Sequence, residues 1–197
     1  MPRKNLLRVR NLPYHVTTRT LKQEFFKLEL KEVWEILLES LKEANTLYPI
    51  QLVSLVLMNN HYHMLLFTPD YNLDKFMYEF NRRMAIKIIA KTNQSHSVFG
   101  NRYKWSVIRS KSYLFNCYRY IYQNPIRAGL CWRVEEYPFS TIYYIHHGIN
   151  FIIPLFDQFG FKDKYMLDWL NIPMEEDEKA KVKKGLRRFV EPKKVKT

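Results

Sequence analysis

Leu52-Val53-Ser54-Leu55-Val56-Leu57-Met58-Asn59-Asn60-His61-Tyr62-His63-Met64-Leu65-Leu66-Phe67-Thr68 reads as two apolar strands joined by a tight turn. Asn tolerates positive φ better than most residues, so Asn59-Asn60 suits a hairpin between a strand over 50–58 and one over 61–68. Successive side chains of a strand alternate faces. His61 and His63 therefore point one way while Tyr62 points the other way into a packed layer. Two neutral imidazoles on one face can clamp a divalent metal. An isolated pair of this kind is more often two hydrogen-bonded polar residues at a sheet edge.

Outward from the hairpin, 8–19 carries Val9, Leu12, Tyr14, Val16 and Thr18 at near-alternate positions and predicts a first strand, with Arg8, Arg10 and Arg19 placed to meet phosphate. Residues 21–43 repeat Phe25, Leu28, Val33, Ile36, Leu37 and Leu41 at helical spacing, which predicts a core helix broken once and stopped by Pro49. After Pro69 a second helix is expected over 73–90, with an inward stripe of Phe76, Met77, Phe80, Met84, Ile88 and Ile89. Arg82, Arg83, Lys87 and Lys91 lie on its other side, and Arg82 and Arg83 are counted among the expected DNA contacts. A loop and a last strand follow over 97–109.

The order strand, helix, strand, strand, helix, strand is that of an α+β ferredoxin-like sandwich, an antiparallel sheet with two helices on one face. A third helix over 112–123 is expected, capped by Ser110 or Ser112 and ended by Pro125. Irregular chain over 132–153, a short helix over 164–170 and a last helix after Pro173, opening on Glu175, Glu176, Asp177 and Glu178, complete the reading. Two units are expected: 1–150 as the working domain and 151–197 as a basic helical C-terminal extension.

The chain has 197 residues, net charge +13 and a pI near 9.7, enough for one well-filled domain with a surface attractive to polyanions, nucleic acid above all. No apolar run approaches the ~20 residues that cross a bilayer, and Met1-Pro2-Arg3-Lys4 does not lead into a signal-peptide core. A soluble intracellular protein is expected. Cys117 and Cys131 lack metal-ligand spacing.

From Arg102 to Arg133 there are seven Lys or Arg and no Asp or Glu. Arg102, Lys104, Arg109, Lys111, Arg119 and Arg127 with Trp105, Tyr103 and Tyr113 between them make a basic, aromatic segment of the kind that holds single strands by phosphate contact and stacking. Nine basic residues over 179–196 give either a DNA-contacting arm or a solvated tail. In the third helix Tyr120 and Asn124 are four apart and share a face with Asn116. A tyrosine, an amide and two histidines could meet around one metal, or the tyrosines could simply pack. His15, His96, His146 and His147 are read as structural or surface groups.

Asn60-His61-Tyr62-His63-Met64-Leu65-Leu66, followed by Arg119-Tyr120-Ile121-Tyr122-Gln123-Asn124-Pro125-Ile126-Arg127-Ala128-Gly129-Leu130 and preceded by Tyr14-His15-Val16-Thr17-Thr18-Arg19, resembles the single-tyrosine HUH transposases, most closely the REP-associated tyrosine transposases. The resemblance covers 8–145 in one order, with Asn59 standing where the family commonly has proline. It implies a DNA endonuclease and strand-transferase acting on hairpin or palindromic single strands. His61, His63 and the Asn124 amide would hold Mg²⁺ or Mn²⁺, and Tyr120 would attack the scissile phosphate to give a 5′-phosphotyrosine. A cytoplasmic, nucleoid-associated protein is implied, and the C-terminal segment favours a monomer over a dimer that exchanges the tyrosine helix. Two other readings stay open: a non-catalytic single-strand binder, and a water-using phosphodiesterase with the tyrosine a spectator.

Overall fold

Four antiparallel strands, β1 (Tyr14–Arg19), β2 (Gln51–Met58), β3 (His61–Phe67) and β4 (Lys104–Val107), form one sheet in the order β2-β3-β1-β4. The computed structural model describes residues 6–157 and 164–187. Helices α1 (Leu30–Leu47) and α2 (Leu73–Thr92) connect the strands, which gives the α+β ferredoxin-like sandwich that the element order predicts. Tyr14, Val16, Tyr62, Met64 and Leu66 face those helices and pack with Leu37, Leu41, Phe76, Phe80 and Met84 into the first core.

The opposite face is roofed as well. Over it lie α3 (Lys111–Tyr122), the one-turn α4 (Asn124–Arg127), α5 (Thr141–His146), α6 (Lys164–Asn171) and α7 (Glu176–Arg187), which build a second core around Leu65, Phe67, Cys117, Tyr118, Ile121 and Leu170. The Ser110 hydroxyl accepts from the Tyr113 amide and caps α3, and Pro125 sits in the first turn of α4, where its missing N–H costs nothing. Chain beyond 150 takes part in this packing: Leu155 bridges to Leu52 on β2, and Met174 and Val182 are buried.

Three expectations change. The first strand is shorter than 8–19 and begins at Tyr14, because the Tyr14 hydroxyl bonds the backbone at Leu7 and Val9 and draws that arm off the sheet. The helix expected over 21–43 begins only at Leu30 and runs unbroken to Leu47. Lys22 and Gln23 have φ of 53° and 64°, which a helix cannot accommodate. The loop they form clamps the hairpin instead, with the Thr20 and Phe26 amides donating to the carbonyls of Asn60 and Asn59, and it leaves Phe25 69% exposed. The stretch over 132–153 is not wholly irregular, for it holds α5, capped by the Ser140 hydroxyl.

Candidate active site

The pairing of β1 with β3 sets Thr17 opposite His63 and Arg19 opposite His61, while the pairing of β1 with β4 sets Ser106 opposite His15 and Lys104 opposite Thr17. Directly paired residues share a face, so His15, Thr17, Arg19, His61, His63, Lys104 and Ser106 form one polar stripe across three strands. His15 Nε2 is 2.9 Å from His63 Nδ1, and His61 Nδ1 is 2.7 Å from Asn60 Oδ1. The His61 and His63 rings are 5.0 Å apart between centroids.

Helix α3 crosses this stripe, and its period carries Tyr120 onto it. The Tyr120 ring lies 5.8 Å from the His63 ring and 6.2 Å from the His15 ring, within a single chain. From α4, the Arg127 guanidinium stacks over the Tyr120 ring at 4.3 Å and donates to Asn124 Oδ1 at 2.7 Å. The Asn124 amide nitrogen donates back to the carbonyls of Tyr120 and Ile121. Asn124 therefore stands one turn from Tyr120 as its spacing predicts, with its amide engaged by its own helix and by Arg127.

Burial sets the charge states. It pushes His15 down to about 3, pushes His61 down to about 4 with help from Arg19 and Arg127, and holds His63 well below the usual imidazole range. All three rings are neutral at pH 7. Burial also raises the Tyr120 phenol above its usual value, opposed by Arg127 and Arg19.

The site is suited to a cation in one respect that can be read directly: His63 Nε2 is buried with no hydrogen-bond partner. A neutral imidazole nitrogen left so is the donor that a divalent ion takes. Among the described residues no group of three or more His, Cys, Asp or Glu is arranged to hold a metal.

A model of the family described as "Transposase IS200 like" matches residues 8–124, which span β1 through the tyrosine helix and the whole polar stripe. The chain belongs to the IS200-like transposase family. It is thus a DNA-cleaving and rejoining enzyme by family. The solved structure of a REP-associated tyrosine transposase bound to a REP hairpin superposes with a TM-score of 0.64 at 18% identity, covering 80% of this chain and 93% of that one, and shows the same fold. A transposase structure from Deinococcus radiodurans R1 matches at 22% identity and TM-score 0.43 over 61% of this chain and 95% of that one. No curated protein matches.

The transposase fold distributes the expected DNA contacts unevenly. Arg19 and Lys104 belong to the stripe, Arg127 lies over the Tyr120 ring beside it, and Arg10, Arg102, Arg109 and Lys111 are exposed. Arg8 pairs with Asp74 at the start of α2. Arg82 and Arg83 lie on the far side of the sheet, where both bond Glu79 and Arg83 also bonds Glu43. Trp105 turns its ring inward against Tyr14 and is no stacking platform, because its parity in β4 is that of the core. Arg119 is buried between Glu178 and the Trp169 ring, so α6 and α7 take it up. The basic run over 179–196 lies partly outside the described residues.

His15, read from the sequence as a structural or surface group, is fully buried and bonded to His63. The signal was present: if Tyr14, Val16 and Thr18 face the core, His15 and Thr17 must share the other face.

Proposed function

We propose that this transposase nicks and rejoins single-stranded DNA, with Tyr120 as nucleophile acting in cis beside a divalent-cation site formed by His61 and His63. The observation that carries the reading is the Tyr120 ring 5.8 Å from His63 in one chain. No exchange of helices between subunits is needed to bring them together, so a monomer suffices.

A phenol of ordinary pKa ~10 is phenolate in about one molecule per thousand at pH 7, a handicap of roughly 4 kcal/mol. Burial of Tyr120 enlarges that handicap. A bound Mn²⁺ or Mg²⁺ would polarise the scissile phosphate and supply several kcal/mol of charge stabilisation. Imidazole donors place Mn²⁺ at least level with Mg²⁺. His61 and His63 would hold the ion, with the Asn124 oxygen a third donor once it yields Arg127. Arg127 orients the ring of Tyr120 and, with Arg19 and Lys104 around the stripe, attracts the phosphate. Tyr120 Oη attacks phosphorus as the bond from phosphorus to the 3′-oxygen breaks, the phenol proton is lost to water, and the 3′-oxygen takes up a proton and departs as a hydroxyl, leaving a 5′-phosphotyrosine. Because the phosphodiester energy is kept, a 3′-hydroxyl can reverse the step and rejoin a strand.

The DNA form follows from likeness: the neighbour of the same fold is bound to a REP hairpin. Labelled hairpin DNA incubated with the protein and Mn²⁺ is expected to give a covalent adduct on a denaturing gel, absent with Tyr120→Phe. Cleavage that survives Tyr120→Phe would sink the tyrosine mechanism in favour of attack by water.

A further inference from the structure

The geometry points to His15 as a positioning residue that fixes the ring of His63 for the cation, as Asn60 fixes that of His61; the inference rests on the metal site proposed above. For His61 the proton can be placed by elimination. Asn60 Nδ2 donates to the Gln23 carbonyl at 2.7 Å, which settles which way the amide faces. Asn60 Oδ1 therefore faces His61 Nδ1, and an oxygen can only accept, so His61 carries its proton on Nδ1 and its lone pair on Nε2. The hairpin clamp around Lys22 and Gln23 holds that amide in place.

His63 has the same layout with a different partner. Its Nδ1 meets His15 Nε2 at 2.9 Å, and its Nε2 is buried without a partner. Here two proton arrangements satisfy the bond. When His63 Nδ1 donates to His15 Nε2, His63 Nε2 presents a lone pair and can hold an ion. When His15 Nε2 donates instead, His63 Nε2 carries hydrogen and cannot. The ring behind thus decides whether the ring in front is a ligand, and a cation selects the first arrangement. Such partners behind ligating histidines typically contribute 10–100-fold to metal affinity. His15 stands behind His63 and not beside it, because the atom of His63 that it touches is the one turned away from Nε2. Its own Nδ1 and the Thr17 hydroxyl are buried without partners.

Mn²⁺ binding measured by electron paramagnetic resonance on the full chain tests the assignment. His15→Phe, which keeps a ring in the space but offers no acceptor, is expected to weaken Mn²⁺ binding about 10–100-fold. His15→Gln, whose side-chain amide reaches the place of Nε2, is expected to recover most of it. Electron spin-echo modulation is expected to show two nitrogen-coupled imidazoles on the wild-type ion. Three coupled imidazoles, or a folded His15→Phe protein that binds Mn²⁺ as wild type does, would overturn the role. Loss in His15→Phe that His15→Gln does not recover would also overturn it, since packing alone would then account for the loss. His61→Ala separates the premises: if it binds Mn²⁺ unchanged, the metal site itself falls; if it abolishes binding while His15→Phe does not weaken it, only the role of His15 falls.

Discussion

The tyrosines buried on one face of the sheet and the polar stripe on the other are treated in opposite ways. On the face toward α1 and α2 the buried tyrosines are satisfied: the Tyr62 hydroxyl bonds Thr18 and Asn81, and the Tyr14 hydroxyl bonds the backbone at Leu7 and Val9. On the face toward α3, His63 Nε2, His15 Nδ1 and the Thr17 hydroxyl are buried and unpaired. Burying a polar group without a partner costs on the order of 1–3 kcal/mol. These tyrosines spend their hydroxyls on stability; the stripe keeps unmet bonding capacity where a cation and a phosphate would use it.

Substitutions on the two faces should therefore diverge. Phe80→Ala, which empties a space packed against Tyr62 and Phe76, is expected to cost about 3–5 kcal/mol in urea unfolding. The roof over the site is expected to be intermediate. A Cβ at Gly185 of α7 would come within 2.0 Å of the Tyr113 hydroxyl on α3, so Gly185→Ala should cost about 1–3 kcal/mol. Tyr113→Phe in the same chain should relieve most of that by removing the oxygen; if it does not, the contact between α7 and α3 is not the cause. Thr17→Val should leave stability within about 1 kcal/mol of wild type, since an unpaired buried hydroxyl is replaced by a methyl group of the same shape. A large destabilisation there would break the contrast between the faces.

The smallest effect expected is the response of the helical face to acid. Hydrogen bonds from Arg82 and Arg83 hold the Glu79 carboxyl below its usual 4.5, and although burial pushes Glu43 up, bonds from Lys87 and Arg83 leave it lowered on balance. The unfolded chain then binds protons before the folded one does. These pairs stabilise above pH 4.5 and lose that contribution as pH falls below it through the folded values. A few tenths of a kcal/mol per pair is the expected scale, weakened by salt. Urea midpoints taken from pH 6 to pH 3 should fall less steeply for Glu79→Gln than for wild type, and equal slopes would remove these pairs from the account.

Much of the site could be read from the chain because its parts are local. Alternation puts His61 and His63 on one face, Asn59-Asn60 turns the hairpin, and a helical turn separates Tyr120 from Asn124. Other features were hidden for the opposite reason. Trp105 looks like a stacking residue until its partner in β1 fixes its parity, and Arg119 looks like a phosphate contact until Glu178 and Trp169 close over it. Phe25 fits a helical stripe, yet the loop around Lys22 and Gln23 is drawn to the hairpin carbonyls and turns it outward.

What the sequence determined by itself, then, is the order of elements and the side on which each residue falls, because backbone period depends only on neighbours along the chain. What the tertiary structure alone decided is which side chains meet: His15 with His63 across 48 residues, and Tyr120 with both in one chain. Strand register and helix docking are set by the burial of whole faces against one another, and no local pattern records that outcome.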